Sequence, residues 1–460
     1  MLDNHNTNLS HNEVLLAQQK RRESNARSYP RRIPIAIREA KGMIVKDVDG
    51  KTYLDCLGGA GTLALGHNHP VIIEAIQNFL SEGYPLHTLD ITTPVKEQFV
   101  DALFASLPES FSKKAKIQFC GPSGADAVEA ALKLVKTATG NRSVFSFHGG
   151  YHGMTHGALS LMGNTGAKEK ITGLMSDVHF LPFPYDYRCP FGIGGEQGVN
   201  TGIHYIKNVL DDPESGIVSP AGMIMEVVQG EGGAIAADDK WVQHIRSITK
   251  ERNIPLIVDE VQTGLGRTGK LYAFEHADVT PDVIILSKAI GGSLPLSVVV
   301  YDEALDVWEP GAHAGTFRGN QMAMATGLAT MEYVIQNELD QHAARMGELM
   351  MSKFKEIQAQ TNSIGDVRGK GLMIGVEIVD KEKQPDHLGT YPAHAERARH
   401  IQQACFEKGL IVEPGGRHGS VIRFLPPLVI TEQQVEQVCD IFYDAIQSVE
   451  KQSMKILQEA

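Results

Sequence analysis

The segments IPLIVDEVQTGLGRTG, residues 254–269, and DVIILSKAIGG, residues 282–292, decide the fold. Each begins with an apolar run of strand length, which is followed by a polar residue, Asp259 in the first segment and Lys288 in the second. Near-continuous apolar strands predict a mainly parallel sheet that is covered on both faces. Because ligands of open α/β sheets bind beyond the carboxyl ends of the strands, we expect Asp259 and Lys288 to face a site at that edge.

Further apolar strands alternate with helical periods between about residues 95 and 330, which predicts an α/β architecture. The additional strand candidates are AKIQFC, SVFSF, AGMIMEV and LSVVV. LSVVV follows DVIILS too closely for a parallel crossover and is predicted to run antiparallel. After about residue 335 the pattern changes to a small sheet and a terminal amphipathic helix. The predicted units are an N-terminal segment that joins the small domain, a large domain and a C-terminal small domain, at residues 1–75, 76–334 and 335–460.

Composition excludes several classes of protein. The 460 residues include 43 Lys and Arg against 55 Asp and Glu, and a formal charge of -12 argues against nucleic-acid binding. Five scattered cysteines without finger spacing predict reduced thiols and no metal site. The polar N-terminus lacks the apolar core of a signal peptide, and no apolar run reaches the length of a membrane span. We therefore expect a cytoplasmic protein with no membrane partner.

The segment from Gly264 to Gly269 matches G-x-G-x-x-G, the pattern of a dinucleotide-binding turn, so an NAD-dependent dehydrogenase is one alternative. Such a turn must follow its strand directly and open a helix. Here four residues, Glu260 to Thr263, stand between Asp259 and the first glycine, and the sequence that follows has weak helical periodicity. We interpret the glycines as a turn beyond the site.

Three further features fit a phosphorylated carbonyl cofactor. Burial lowers the pKa of a lysine and frees its amine to attack a carbonyl, which suits Lys288 after its core strand. The sequence CGPSGADAVEAALKL predicts a helix with a capping box at Ser123 and Asp126, whose amino end suits a phosphate. FHGGYHGMTHG places Tyr151 and His152 in a glycine-rich loop, where an aromatic side chain can stack on a flat ring. Each feature alone also fits an ordinary lysine, capped helix or turn.

Taken in order, these segments resemble the class III pyridoxal-phosphate aminotransferases over nearly the whole chain. The resemblance is carried by GMIVKDVDGKTYLDCLGG, GHNHP, CGPSGADAVEAALKL, YHGMT, EVVQGEGG, IPLIVDEVQTGLGRTG, SKAIGG, HAGTFRGN and IRFLPPL. It implies the fold of type I pyridoxal-phosphate transferases, with a mainly parallel seven-stranded sheet in the large domain and a smaller α+β domain. It also implies pyridoxal 5'-phosphate as cofactor and a homodimer or a dimer of dimers.

The resemblance also assigns roles to single residues. Lys288 would bind the cofactor covalently and then transfer the proton, and Asp259 would pair with the pyridine nitrogen. Tyr151 would stack on the ring, and Thr316 would reach the phosphate of the neighbouring subunit. The other implied cofactor-binding residues are Ser123, Gly124, Ala125, His152, Glu226 and Gln262.

For the substrates, the resemblance implies that Arg423 binds the α-carboxylate of 2-oxoglutarate and that Glu231 pairs with Arg423 when this carboxylate is absent. A structural ion pair is the alternative. Met154 stands where many relatives have an arginine for a distal carboxylate, which argues against 4-aminobutyrate as donor. Tyr29, Ala60 and Gly61 are candidates for the α-amino acid end of the donor.

Within the family, RRESNARSYPRRIPIAIREAKG and GGAGTLALGHNHP are most similar to the enzymes that move the terminal amine of L-2,4-diaminobutyrate to 2-oxoglutarate. Ornithine, 4-aminobutyrate or another ω-amine remains an alternative donor. Mutase or racemase chemistry with the same cofactor also fits these motifs, as does a non-catalytic protein of the same fold.

Overall fold

The structure is a computed structural model that describes residues 9–459, and side chains as far as residue 452. Most of the polar N-terminal stretch, residues 1–8, lies outside the described residues. The strands are β1 Ile37–Lys41, β2 Ile44–Asp47, β3 Thr52–Asp55, β4 Ala115–Phe119, β5 Ser143–Phe147, β6 Val178–Leu181, β7 Pro220–Met225, β8 Val228–Gln229, β9 Ile235–Ala236, β10 Leu256–Asp259, β11 Val283–Leu286, β12 Val298–Asp302, β13 Ile364–Lys370, β14 Met373–Ile378, β15 Leu410–Ile411, β16 Glu413–Gly415 and β17 Val421–Phe424.

The helices alternate with these strands through the middle of the chain. They are α1 His11–Arg22, α2 Tyr29–Arg32, α3 Pro70–Ser81, α4 Pro94–Ser106, α5 Glu109–Ser112, α6 Gly124–Thr139, α7 His156–Ser160, α8 Gly195–Asp211, α9 Asp239–Glu251, α10 Gln321–Gln336, α11 Leu339–Gln360, α12 Ala395–Glu407 and α13 Glu432–Glu459. Across residues 9–459, none of the helices combines the length and the apolar character that crossing a bilayer requires.

The central sheet has seven strands in the order β4-β12-β11-β10-β7-β5-β6, which confirms the predicted mainly parallel seven-stranded sheet. The neighbours from β11 to β6 pair in parallel, whereas β12 pairs antiparallel with both β11 and β4. The antiparallel prediction for LSVVV is therefore confirmed. Strand β6 was not predicted, because most of its side chains are only partly buried and it lacks a long apolar run.

The sheet is buried on both faces, as its apolar strands predict. Successive side chains of a strand point to opposite faces, and the two strands of the opening segments show this directly. Ile257 and Ile285 pack in a core cluster with the apolar face of α6. Val258 and Ile284 lie in the larger cluster with Trp241 of α9. Helices on both faces leave the carboxyl ends of the strands as the open edge of the sheet.

Two four-stranded sheets flank this core, and β8 and β9 form a separate two-stranded sheet. One, in the order β13-β14-β17-β16, comes from the C-terminal part of the chain. The other, β1-β2-β3-β15, joins N-terminal strands to a strand near residue 410 through parallel pairing of β15 with β3. The terminal helix α13 buries the predicted apolar face, which includes Val435, Phe442 and Val449. The exact domain boundaries remain predictions.

Candidate active site

Asp259 and Lys288 follow neighbouring parallel strands, so the sheet brings them to one edge. β10 ends at Asp259, which is in register with Ile285 of β11, and β11 ends two residues before Lys288. Lys288 has a φ of 52°, in the left-handed region that residues other than glycine seldom adopt. Strained backbone of this kind clusters at functional sites, and here it marks the lysine that the sequence singles out.

Asp259 is buried and is held by two donors. The imidazole Nδ1 of His152 lies 2.8 Å from one carboxylate oxygen, and the N–H of Val261 donates to the other at 3.0 Å. Burial opposes protonation of His152, but its hydrogen bond to Asp259 and the nearby carboxylate charges outweigh burial and raise the pKa of the imidazole. His152 therefore balances a negative charge on Asp259, and the pair lies at the base of the site.

A second buried acid, Glu226, connects two loops of the site. Its carboxylate accepts from the N–H of Tyr151 at 2.9 Å and from the N–H of Gly230 at 2.9 Å. Burial raises the pKa of Glu226 to about 7, with the charge of His152 opposing and that of Asp259 adding to the shift. Glu226 is thus a buried acid that holds the backbone of the loop carrying Tyr151 against that of Gly230.

The ammonium group of Lys288 is in the same electrostatic environment. Burial lowers the pKa of Lys288, and the charges of Asp259 and Glu226 oppose this shift. The charges of Arg423 and Glu231 have smaller effects on its pKa. A lysine with a lowered pKa supplies a neutral amine more readily, which is the form that attacks a carbonyl or removes a proton.

The amino end of α6 provides an anion site at the same edge. Ser123 is the N-cap, and its hydroxyl accepts from the N–H of Asp126 at 3.3 Å. Among the described residues, nothing accepts from the N–H groups of Gly124 and Ala125, as is usual for a first helical turn. The predicted reciprocal half of the capping box is wrong, because Asp126 accepts from the N–H of Gly121 at 2.5 Å and not from that of Ser123.

Glycines keep this part of the site narrow. A Cβ on Gly153 would lie 2.5 Å from Cβ of Ala125, and one on Gly124 would lie 3.0 Å from both methyl groups of Val261. The site therefore combines a narrow cleft, free N–H groups with the positive end of a helix, a buried carboxylate and a lysine amine. These groups fit a flat cofactor that carries a phosphate, a basic ring nitrogen and a carbonyl, which is the chemistry of pyridoxal phosphate.

Gln262 contacts both sides of the cleft. Its amide N–H donates to the carbonyl of Ala60 at 2.9 Å. A Cβ on Gly61 would lie 3.4 Å from Cγ of Gln262, and a Cβ on Gly230 would lie 1.8 Å from its Oε1. The structure thus places Ala60 and Gly61 beside Gln262. Their roles toward a substrate, and that of Gln262 toward the cofactor ring, remain predictions.

Arg423 is buried and its Nη2 contacts two acids. Nη2 lies 2.6 Å from Glu231 and 2.8 Å from Glu413, and Nε has no hydrogen-bond partner among the described residues. Burial lowers the pKa of Arg423, but the two carboxylates outweigh it and raise the pKa. The sequence motifs predict Glu231 as a partner but not Glu413. Glu413 is directly opposite Arg423 in the β16–β17 pairing, so the register of this hairpin could have revealed it.

Tyr29 and Arg32 are brought to this group by the short helix α2. Burial raises the pKa of Tyr29, and the charges of Glu413, Arg423 and Glu231 act on its hydroxyl. Arg32 Nη1 lies 3.4 Å from Glu413 and donates to the carbonyl of Pro414 at 3.1 Å. Residues three apart share a helix face, which explains why Tyr29 and Arg32 approach the same acid. Arg32 was not predicted.

Thr316 and Met154 are both exposed. Thr316 is in the loop that follows His313, whose Nε2 lies 3.0 Å from Asp126 in the first turn of α6. The loop therefore begins beside the anion site of its own chain and then extends to the surface. The role of Thr316 toward a neighbouring subunit remains a prediction. Met154 provides no cation for a carboxylate.

The glycines at residues 264–269 form turns and do not open a helix. Arg267 within them is buried, and its guanidinium donates to the carbonyls of Leu372 and Pro426, the first at 3.2 Å. Burial lowers its pKa to about 10. The segment therefore connects the sheet edge to the C-terminal part of the chain, and its geometry differs from that of a dinucleotide-binding turn.

Comparisons with known proteins agree with this geometry. Residues 25–446 match the family model for aminotransferase class-III. A diaminobutyrate–2-oxoglutarate aminotransferase of Rhizobium meliloti is 57% identical, covering 93% of this chain and 91% of that protein. A protein of the same name from Haemophilus influenzae is 48% identical, covering 95% and 96%.

Among solved structures, an amine transaminase from an uncultivated Pseudomonas species in its PLP-bound form superposes with a TM-score of 0.83 at 26% sequence identity. It covers 93% of this chain and 98% of that one.

Proposed function

The chain belongs to the class III aminotransferases, and we propose that it moves the terminal amine of L-2,4-diaminobutyrate to 2-oxoglutarate. The products are aspartate 4-semialdehyde and glutamate, and the reaction is reversible. The main support for this reaction is that relatives named for it match more than nine-tenths of the chain. The site agrees, because a buried carboxylate ends one strand and a lysine of lowered pKa follows the adjacent strand at the same sheet edge.

Pyridoxal 5'-phosphate is the cofactor, and when bound it accepts the amino group and takes up the electron pair of the broken C–H bond. We assign Lys288 as the residue that holds it covalently and Asp259 as the partner of its ring nitrogen. Ser123, Gly124 and Ala125 are the proposed phosphate ligands. Tyr151 and Gln262 are assigned to the ring face and the ring oxygen, and Glu226 and His152 support these groups from below.

Lys288 carries the proton transfer. Once a substrate amine has displaced it, Nζ is a free base of lowered pKa and can remove the proton from the carbon that bears the transferred nitrogen. A positioned base of this kind contributes roughly 10²–10⁴-fold. His152 orients the Asp259 carboxylate, since its Nδ1 lies 2.8 Å from one carboxylate oxygen.

Arg423 must serve two substrates of different charge in turn. We infer that Glu231 neutralises Arg423 while the amine donor is bound, and that the α-carboxylate of 2-oxoglutarate replaces Glu231 in the second half-reaction. The side chain of Glu231 is 43% exposed whereas that of Arg423 is 5% exposed, so the acid is the partner that is free to move. A guanidinium binds a carboxylate through two hydrogen bonds, and Nε of Arg423 is unoccupied among the described residues.

Replacing Lys288 tests the assignment. Lys288→Ala should lower kcat with diaminobutyrate and 2-oxoglutarate by at least about 10²-fold, while Lys270→Ala, at an exposed lysine nearby, should not. Normal turnover by Lys288→Ala would contradict the mechanism. The donor is tested with a panel of diaminobutyrate, ornithine and 4-aminobutyrate, with identification of the aldehyde product. A preference for another donor would refute the substrate assignment and leave the aminotransferase intact.

We also propose a homodimer in which Thr316 reaches the cofactor phosphate of the neighbouring subunit. The exposure of Thr316 supports this arrangement, because its side chain is free to contact another subunit. Hybrid dimers of Lys288→Ala and Thr316→Ala subunits would then contain one intact site and regain activity. Hybrids without activity would mean that Thr316 serves its own subunit. The five free cysteines support a cytoplasmic location.

A further inference from the structure

Four charged side chains alternate in sign along one wall of the site. Arg32 contacts Glu413 at 3.4 Å, Glu413 contacts Arg423 at 2.8 Å, and Arg423 contacts Glu231 at 2.6 Å. The exchange between Glu231 and a substrate carboxylate uses only the inner pair. The outer pair, Arg32 and Glu413, has no part in that exchange and needs its own explanation.

Glu413 is a buried acid near the reacting lysine. Its side chain is 10% exposed, and each carboxylate oxygen contacts one arginine. An ionised carboxylate has about four acceptor positions, so these contacts leave room for a further donor. Burial raises the pKa of Glu413, with the charges of Arg423, Glu231 and Lys288 also acting on it. A positively charged group beside Glu413 would counteract this shift, because it stabilises the ionised carboxylate.

Arg32 is the more accessible partner. Its side chain is 46% exposed, and its 3.4 Å contact with Glu413 is longer than an ordinary charged hydrogen bond. Arg32 lines a cavity of about 1310 Å³ that also includes Tyr151 and Glu231. The guanidinium can therefore donate to a group that enters from this cavity while staying near Glu413.

The donor assigned above ends in a zwitterion, with an ammonium and a carboxylate on the same carbon. A carboxylate and a guanidinium side by side present the complementary charges. Resting on the proposed function, we propose that Glu413 and Arg32 form the subsite for the α-amino acid end of diaminobutyrate. Glu413 accepts hydrogen bonds from the α-ammonium and Arg32 donates to the α-carboxylate, which leaves the terminal amine free to react beside Lys288.

Two smaller amines separate the two contacts. 4-Aminobutyrate is diaminobutyrate without the α-amino group, and 1,3-diaminopropane is diaminobutyrate without the carboxylate. The holoenzyme is mixed with each amine in the absence of keto acid, and kcat/KM of the first half-reaction is followed by the cofactor spectrum. Without keto acid, no 2-oxoglutarate carboxylate replaces Glu231 at Arg423, so this replacement does not affect the measured kcat/KM.

For Glu413→Gln, the preference for diaminobutyrate over 4-aminobutyrate should fall about 10- to 100-fold, since a charged hydrogen bond is lost. Its preference for diaminobutyrate over 1,3-diaminopropane should change by less than about threefold. For Arg32→Met, the preference for diaminobutyrate over 1,3-diaminopropane should fall about five- to tenfold, a modest loss because this residue is half-exposed. Its preference for diaminobutyrate over 4-aminobutyrate should not change. The inhibition constant of L-2-aminobutyrate, which keeps the zwitterion and lacks the terminal amine, should rise in both variants.

Equal losses with all three amines would overturn the subsite and leave a structural ion pair. Glu413→Asp keeps the charge and should retain an intermediate preference, and it serves as the test if Glu413→Gln does not fold. Wild-type enzyme that does not react with diaminobutyrate would refute the proposed donor itself. A wild type that reacts, with unchanged ratios in the variants, would refute only the subsite.

Discussion

Replacing Glu260 should make the stability of the protein less dependent on pH. Glu260 follows Asp259 but points away from the cleft, and the residue is 1% exposed. One oxygen accepts from the N–H of Phe274 at 3.1 Å, and the other accepts from the hydroxyl of Thr263. Burial raises the pKa of Glu260 from 4.5 to about 7, because these hydrogen bonds only partly compensate for the loss of water.

The sign follows from proton linkage. The folded protein holds the Glu260 proton up to about pH 7, whereas the unfolded chain releases it near pH 4.5. The contribution of Glu260 to stability is therefore intact below pH 4.5 and is lost as the pH rises through about 7. At 1.36 kcal/mol per pH unit, the gap corresponds to about 3 kcal/mol as an upper value.

Glu260→Gln removes this ionisation and keeps both contacts. The amide oxygen can accept from the N–H of Phe274, and the amide N–H can donate to the hydroxyl oxygen of Thr263. The variant should differ from the wild type by less than about 1 kcal/mol near pH 5 and should be more stable by up to about 3 kcal/mol at pH 8. Thermal unfolding of both holoenzymes at pH values from 5 to 8.5 measures the difference. Glu348→Gln, at an exposed acid, is the control. A difference between Glu260→Gln and wild type that is constant from pH 5 to pH 8 would refute the reasoning.

Three further outcomes are expected at the site. His152→Phe removes the 2.8 Å contact with Asp259, the carboxylate that ends β10. It should lower kcat about 10- to 100-fold and change the pH profile of kcat. KM should change less than kcat. Gly230→Ala places a methyl group 1.8 Å from Oε1 of Gln262, so activity should fall at least about tenfold. Gly166→Ala, whose nearest contact is 3.4 Å, should keep full activity. Arg423→Gln should slow the 2-oxoglutarate half-reaction more than the amine half-reaction, and equal losses in the two would contradict the proposed exchange.

The sequence was sufficient to predict the position of the site because that position depends on strand order and burial. Apolar runs located β10 and β11, and parallel pairing then placed Asp259 and Lys288 at one edge. The antiparallel β12 followed from a short connection. Strand β6 has a mixed burial pattern and left little signal in the sequence.

Contacts that depend on register could not be predicted in the same way. Glu413 precedes Arg423 by ten residues, and only the alignment of β16 with β17 makes them direct neighbours. Arg32 comes from the opposite end of the chain, so no local pattern connects it to Glu413. The side chain of Asp126 reaches Gly121 because the backbone before α6 turns back, and a motif spacing does not record that turn.

The contacts of Arg267 have a consequence for protein engineering. Two carbonyls from separate C-terminal loops, at Leu372 and Pro426, accept from one guanidinium that belongs to the loop after Asp259. Chimeras that exchange the C-terminal third between relatives must therefore preserve this three-way junction. A recombination point between residues 269 and 372 separates Arg267 from both of its acceptors. If the parent proteins differ in the path of either loop, the hybrids would leave the buried guanidinium without acceptors.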